Sequence, residues 1–278
     1  MSKNVSVEVL VATMHQFSLK KYEEMNLQTD AVFANQADEY SYMTSNIDNH
    51  RVRMITTATR GVGKNRNIAL MHADGDIAIL ADDDMQFTNG YESAVIDAFK
   101  KVKKADVIIF NITTEGYDHG RRTNERIKRI HYHNAFNYGA ARIAIKINSL
   151  KREGILFNEN FGGGTIYSAG EDSLFIKELL SRGLKVYAYP YTIAVVNQAN
   201  STWFRGYNDK YFFDKGALFK AISRHLYWLL LLQDVIRHRK MYAVSHMSLR
   251  QILIVEFEGA RNYTNLNPFN ASNRLKTK

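Results

Sequence analysis

Short apolar runs alternate with polar, helix-compatible stretches through the first two thirds of the chain. Val5 to Thr13 is β-branched and mostly apolar, and it predicts a first buried strand. A polar stretch from Ser18 to Leu27 suits a helix. Ala31–Gln36 predicts a second strand, and Val52–Thr56 a third, weaker one. At Arg60-Gly61-Val62-Gly63-Lys64-Asn65-Arg66-Asn67 a glycine-bearing turn runs into a helix that continues to Leu70. Ile77–Ala81 is the next strand, a helix follows from Tyr91 to Val102, and Val107–Asn111 is a fifth apolar strand. This strand–helix alternation predicts an α/β fold with a mostly parallel central sheet flanked by helices.

The later pattern changes. Tyr117 to His133 is rich in Arg, His and Lys without apolar periodicity, which predicts a long mobile loop or an irregular helix. Asn137–Ile145 returns to strand character. Apolar positions at 174, 175, 179 and 180 predict an amphipathic helix opening near Ser168 and closing before Gly183, followed by a strand at Val186–Pro190. Beyond Asn197 the chain is helical and aromatic, with one helix over Ala217–Arg239 and a last one over Ser248–Gly259. Residues 1–200 therefore form one α/β domain, with halves at about 1–115 and 116–200. Residues 201–278 form a helical and aromatic extension packed on it.

Composition narrows the function. The 278 residues are 45% hydrophobic and 12% aromatic, enough for a sizeable core. The absence of cysteine excludes a disulfide framework, a thiolate nucleophile and a cysteine zinc site. The start of the chain lacks the pattern of a signal peptide, and no stretch is apolar and long enough to span a bilayer. A formal charge of +9 points to an acidic partner: nucleotide phosphates, nucleic acid or an anionic membrane face.

The candidate chemistry sits where apolar runs stop. Ile77–Ala81 ends in Asp82-Asp83-Asp84, and like charges crowded together are tolerated in water or around a cation. Alternation along an extended segment predicts Asp82 and Asp84 on one side and Asp83 on the other. Two carboxylates at a strand end suit a hard divalent ion that also carries substrate phosphates. The start of the helix after Arg60 predicts an anion site flanked by cations. Phe161-Gly162-Gly163-Gly164-Thr165 is a glycine run of the kind found where backbone closely approaches a ligand. Gly170-Glu171-Asp172 places two acids at a helix start, where they either complement the helix dipole or serve as a base.

Together, Arg66-Asn67 after a glycine turn, the Asp82–Asp84 strand end and Gly170-Glu171-Asp172 resemble the family 2 (GT2) glycosyltransferases of bacterial polysaccharide assembly. The resemblance covers about Val5 to Pro190. It implies a GT-A fold, a Rossmann-like nucleotide-diphospho-sugar transferase sheet. It also implies a metal-dependent, inverting transfer from a nucleotide-diphosphate donor, a UDP-sugar, to a saccharide or lipid-linked saccharide in polysaccharide or capsule assembly. Asp84 with Asp82 would hold Mn²⁺ or Mg²⁺, Asp82 alternatively touching the donor ribose, and Asp83 would orient the loop or touch the donor sugar. Arg60, Lys64 and Arg66 would contact the diphosphate, with Gly163 and Gly164 at the donor. Thr13, Met14, Asn35, Gln36 and Asp38 would lie beside the nucleobase. Asp172 is favoured as the base, with Glu171 as its alternative.

Departures from the family pattern accompany these matches. Ala12-Thr13-Met14 stands where the family has Pro-Thr-Tyr, Asn35-Gln36-Ala37-Asp38 replaces an acidic loop, and Val196-Asn197-Gln198 lacks the family's late histidine. Trp203 and Tyr207 would either stack on an acceptor sugar or pack in a core. The helix through Tyr227–Leu232, flanked by cations, would lie on an anionic membrane or pack on protein. The implied location is cytoplasmic, peripheral on the inner face of the cell membrane. Two rival functions are a sugar-1-phosphate nucleotidyltransferase and a basic nucleic-acid-binding protein. The first expects a longer glycine turn after strand one than Ala12–Gln16 supplies, and the second has no need of three adjacent acids.

Overall fold

The computed structural model describes residues 5–114, 123–196 and 206–263. In chain order the first half holds β1 Val7–Met14, α1 Lys21–Glu24, β2 Asp30–Gln36, β3 Ser41–Ile47, β4 His50–Thr57, α2 Val62–Met71, β5 Ile77–Asp82, β6 Met85–Phe87, α3 Tyr91–Lys101 and β7 Val107–Thr114. The second half adds β8 Lys128–Arg129, β9 Ile143–Lys146, α4 Ile147–Glu153, α5 Glu171–Ser181, β10 Val186–Val196, α6 Asp209–Ile222, α7 Tyr227–Tyr242 and α8 Leu249–Tyr263.

The ten-stranded sheet runs β3-β4-β2-β1-β5-β9-β7-β10-β6, with β8 beside β10. Six strands (β1, β2, β4, β5, β7, β10) run one way and β3, β6, β8 and β9 oppose them, so the sheet is mixed but largely parallel. Central strands are buried on both faces because helices cover both, which is why they appear as continuous apolar runs. Tyr22, Phe33, Tyr91 and Phe110 fill one face. Leu10, Leu70, Ile109 and Phe175 fill the other. The parallel register sets Met14, Gln36 and Thr57 level at the carboxyl ends of β1, β2 and β4, with Asp82 opposite Ala12. That edge is where ligands bind in sheets of this kind.

Several expectations need correction. Asp83 and Asp84 form a turn between β5 and β6, so strand alternation does not carry past Asp82. The strand expected over 137–145 is only β9, preceded by a 3₁₀ turn at Tyr132–Asn137. Of the segment expected as a long mobile loop or an irregular helix, residues 117–122 lie outside the described residues; beyond them Asn124 is buried and exchanges hydrogen bonds with Asn111, at 2.7 Å from its own N–H and 3.0 Å to its carbonyl. β10 continues through Pro190, and its pairing with β7 shifts register between Ala188 and Thr192. A proline needs such an irregularity inside a sheet. The single helix expected over 217–239 is broken at Ser223–Leu226 into α6 and α7.

The extension has its own core, with Phe212, Phe213, Tyr242 and Ile252 closing over Phe161, Tyr167 and Leu174 of the sheet domain. α6 and α8 cross at glycine. A Cβ on Gly216 would lie 1.8 Å from the Glu256 carbonyl oxygen, and one on Gly259 1.8 Å from that of Phe213. No helix among the described residues is long and apolar enough to cross a membrane.

Candidate active site

One guanidinium organises the carboxyl edge of the sheet. Arg66 lies on α2, whose inward face carries Asn65, Arg66 and Asn67 among small and apolar residues, so polar groups are buried by the helix itself. Asn65 donates to the carbonyls of Thr13 (3.0 Å) and Ala34 (2.8 Å) and ties α2 to the ends of β1 and β2. Asn67 donates to the Phe157 carbonyl (3.0 Å) and accepts from the Phe157 N–H (2.7 Å). Held on both sides, the Arg66 side chain is only 6% exposed and lies over the Phe157 ring, 5.4 Å from its centroid. Burying a cation this deeply is tolerable only if it is paired.

Three carboxylates meet it. Nη2 donates to Asp82 Oδ1 at 2.9 Å, and Nη1 donates to Asp172 Oδ1 at 2.7 Å and Glu171 Oε1 at 3.3 Å. Asp82 comes from the end of β5 and the other two from the first turn of α5. A residue on α2 thus joins the acidic strand tip to the helix that carries the candidate base. The side chain of Asp172 is more open than that of Glu171, 29% against 13%. Burial, reinforced by neighbouring Asp172, pushes the Glu171 carboxyl up to about 7 despite the opposing pull of Arg66.

The other expected residues are distributed around this centre. Thr13 donates its hydroxyl to Asp83, linking the ends of β1 and β5. Met14 is exposed at the rim. Asn35 is fully buried, its amide closed on Gln16 and Thr56, and Gln36 donates to the Gly61 carbonyl at 2.8 Å. These two side chains therefore shape the rim from beneath. Arg60 pairs with Asp38 and donates to the Ala37 carbonyl. Lys64 is half exposed and 3.8 Å from Glu159. Asp84 is exposed at the tip of the turn.

The glycine run closes on the protein rather than leaving its backbone open. The Gly163 carbonyl accepts from the Val62 N–H (3.0 Å), the first N–H of α2, and Gly164 lies against Gly61. One donor of the expected anion site is therefore taken. Gly162, at φ 105°, lies where a Cβ would strike Val62 and the Glu171 carboxyl. The run thus lets the α5 approach pack on the start of α2. Of the acceptor candidates, Tyr207 packs against Tyr211 and Tyr242 in the extension (5.1 and 5.4 Å between centroids), and Trp203 lies outside the described residues. Asn197 and Gln198 lie outside them too. The network of Asn65 and Asn67 was missed from sequence; its signal was the polar run Lys64–Asn67 inside a helix with no apolar stripe of its own.

Among the described residues no three His, Asp or Glu side chains gather into a metal cage. Asp82, Asp83 and Asp84 at a strand tip still fit an ion that draws most of its ligands from phosphate and water.

The fold defines the class: the chain has a GT-A-like α/β fold. Residues 33–158 match the family described as Glycosyl transferase family 2. In three dimensions the chain is similar to Staphylococcus aureus TarS 1-349 in complex with UDP-GlcNAc, at a TM-score of 0.61 and 12% identity over 96% of this chain and 93% of that one. It is also similar to TarS 1-349 in complex with UDP (TM-score 0.57, 13% identity, 99% and 75% covered). Against S. aureus TarS in a longer form the chain spans 46% of that protein's length, with a TM-score of 0.56. No curated protein matches the sequence.

Proposed function

We propose that the chain is an inverting glycosyltransferase that moves a sugar from a nucleotide-diphosphate donor, a UDP-sugar, to a hydroxyl of a saccharide or lipid-linked saccharide. The observation that carries this reading is Arg66 holding Asp82 and Asp172 on one guanidinium, which brings a phosphate-side acid and a base together at the carboxyl edge of the sheet. Support for a UDP donor comes from the likeness to a protein crystallised with UDP-GlcNAc.

The acceptor hydroxyl is a weak nucleophile and needs a base within hydrogen-bond reach. Asp172 fills that role. It is the more open of the two acids, and its hydrogen bond to Arg66 fixes its carboxylate. Glu171, less exposed and raised to about 7 by burial, serves as its buried neighbour. As the anomeric carbon–oxygen bond to the diphosphate breaks, the hydroxyl oxygen attacks from the opposite face, its proton passes to Asp172, and the configuration inverts. Asp84 and Asp82 would hold Mn²⁺ or Mg²⁺, which when bound would neutralise charge on the departing diphosphate. Lys64, half exposed at the start of α2, is the cation placed to add to that field.

Melting curves with UDP-, GDP- and dTDP-sugars, with and without Mn²⁺, test the donor assignment. The true donor raises the melting point by mass action. A UDP-sugar shift accompanied by glycosylated product supports the proposal, and absence of a shift with every nucleotide sugar overturns it.

A further inference from the structure

Helix α7 is inside out. Its inward face carries Asp234 and Tyr242 along with Leu231 and Val235, while Leu229, Leu232 and Ile236, spaced i, i+3, i+7, face outward. The inward polar groups are satisfied: Tyr242 donates to Asp234 at 2.6 Å, and Lys215 of α6 pairs with Asp234 at 2.9 Å. Among the described residues nothing covers the outward apolar groups, and Ile236 is 61% exposed. α8 repeats the arrangement, with Arg250, Ile254, Phe257 and Arg261 forming one exposed stripe at i, i+4, i+7, i+11. Tyr227 meets Phe257 edge to face at 6.2 Å, so the two helices lie side by side.

Charge on this surface is one-sided. Between residues 224 and 263 all six Lys and Arg are exposed, whereas two of the three acids, Asp234 and Glu256, are buried, leaving Glu258 outside. We infer that the α7–α8 face docks on an anionic phospholipid bilayer, with its aliphatic and aromatic side chains in the headgroup boundary and its cations on lipid phosphates. Burial of apolar area together with attraction to anionic lipid is what holds such surfaces to membranes.

Charge also disfavours the other occupants. A second copy seated face to face would set cation against cation. The chain's own residues 264–278 carry Arg274, Lys276, Lys278 and no acid. Nucleic acid would meet the cations but leave the aliphatic stripe without a partner. None of this depends on the transfer reaction.

Co-sedimentation of the full chain with vesicles of phosphatidylcholine alone, or with phosphatidylglycerol mixed in, tests the inference. Binding should require the anionic lipid and weaken with salt. Neutralising Arg237, Arg239 and Lys240 together (each →Gln) should lower partitioning on the order of a hundredfold, at about fivefold per charge removed. Leu232→Glu with Ile236→Glu should abolish it while the melting point and donor-induced shift stay at wild type, since both side chains face outward. Equal capture by neutral vesicles, or no capture, overturns the inference. So does an oligonucleotide that displaces the protein from vesicles, or a dimer in analytical ultracentrifugation that Ile236→Glu dissolves.

Discussion

Both ends of the sheet bury an arginine among acids, and they do so to opposite effect. At the amino end Arg53 donates to Glu8 (2.6 Å) and Asp74 (2.9 Å), and Arg51 adds a second bond to Asp74 (2.7 Å). Glu8 spends its other oxygen on the N–H groups of Asp74 and Gly75. Two cations face two anions, and the cluster is closed. At the carboxyl end, among the described residues, Arg66 is the one cation paired with Asp82, Glu171 and Asp172. A balanced cluster knits strands together. The unbalanced one, with three carboxylates on one guanidinium among the described residues, suits the added cation and the proton-accepting group proposed above. Charge imbalance, more than burial, separates the two.

The most severe break in this contrast is Asp172→Asn. Transfer should fall by about 10²–10⁴-fold, the usual weight of a positioned base, while the donor-induced melting shift stays near wild type. Surviving transfer would move the base role to Glu171 or another group. Next come the two arginines. Arg53→Met strands Glu8 in the interior and should lower stability by roughly 3–5 kcal/mol, with the folded fraction still active. Arg66→Met should also destabilise, but transfer per folded molecule should collapse with it. Denaturant melts read alongside initial rates distinguish these outcomes.

Asp84→Ala should be milder, removing the Mn²⁺-dependent part of the donor shift and leaving the rest; an unchanged shift would count against the assigned ligand. The smallest effect is in pH dependence, where the two clusters should differ in sign. Glu171 is raised, so its contribution to stability is present below about 4.5 and lost as pH rises through about 7. Asp74 is lowered: burial works against this, but the Arg51 hydrogen bond and the charge of Arg53 outweigh it, so its contribution is lost as pH falls below its ordinary value. Glu171→Gln should flatten the melting-point decline between acid and neutral pH and leave the acid limb unchanged.

Legibility in the sequence followed the physics of burial. β1, β2, β5 and β7 are apolar because both faces are covered, and each was visible as a run. β3 was invisible, since every residue from Ser41 to Asn46 is exposed and the strand carries no apolar alternation. β6 is three residues long, too short for a period. At the site, Asp82, Glu171 and Asp172 were picked out by type and position. The partnership with Arg66 was not, because it spans 16 and 106 residues of sequence and depends on α2 turning a polar face inward. The glycine run was conspicuous too, yet its close approach is to the α2 start, a contact that composition does not specify.

Phe161 and Tyr167, on the segment leading into the helix that bears Glu171 and Asp172, and Leu174 within that helix are covered by α6 and α8. A fragment ending near residue 200 would leave these rings wet, and Gly170 would lose its contact with Leu218. The smallest working unit therefore reaches through α8, and trimming the molecule to its sheet would dismantle the seat of the base.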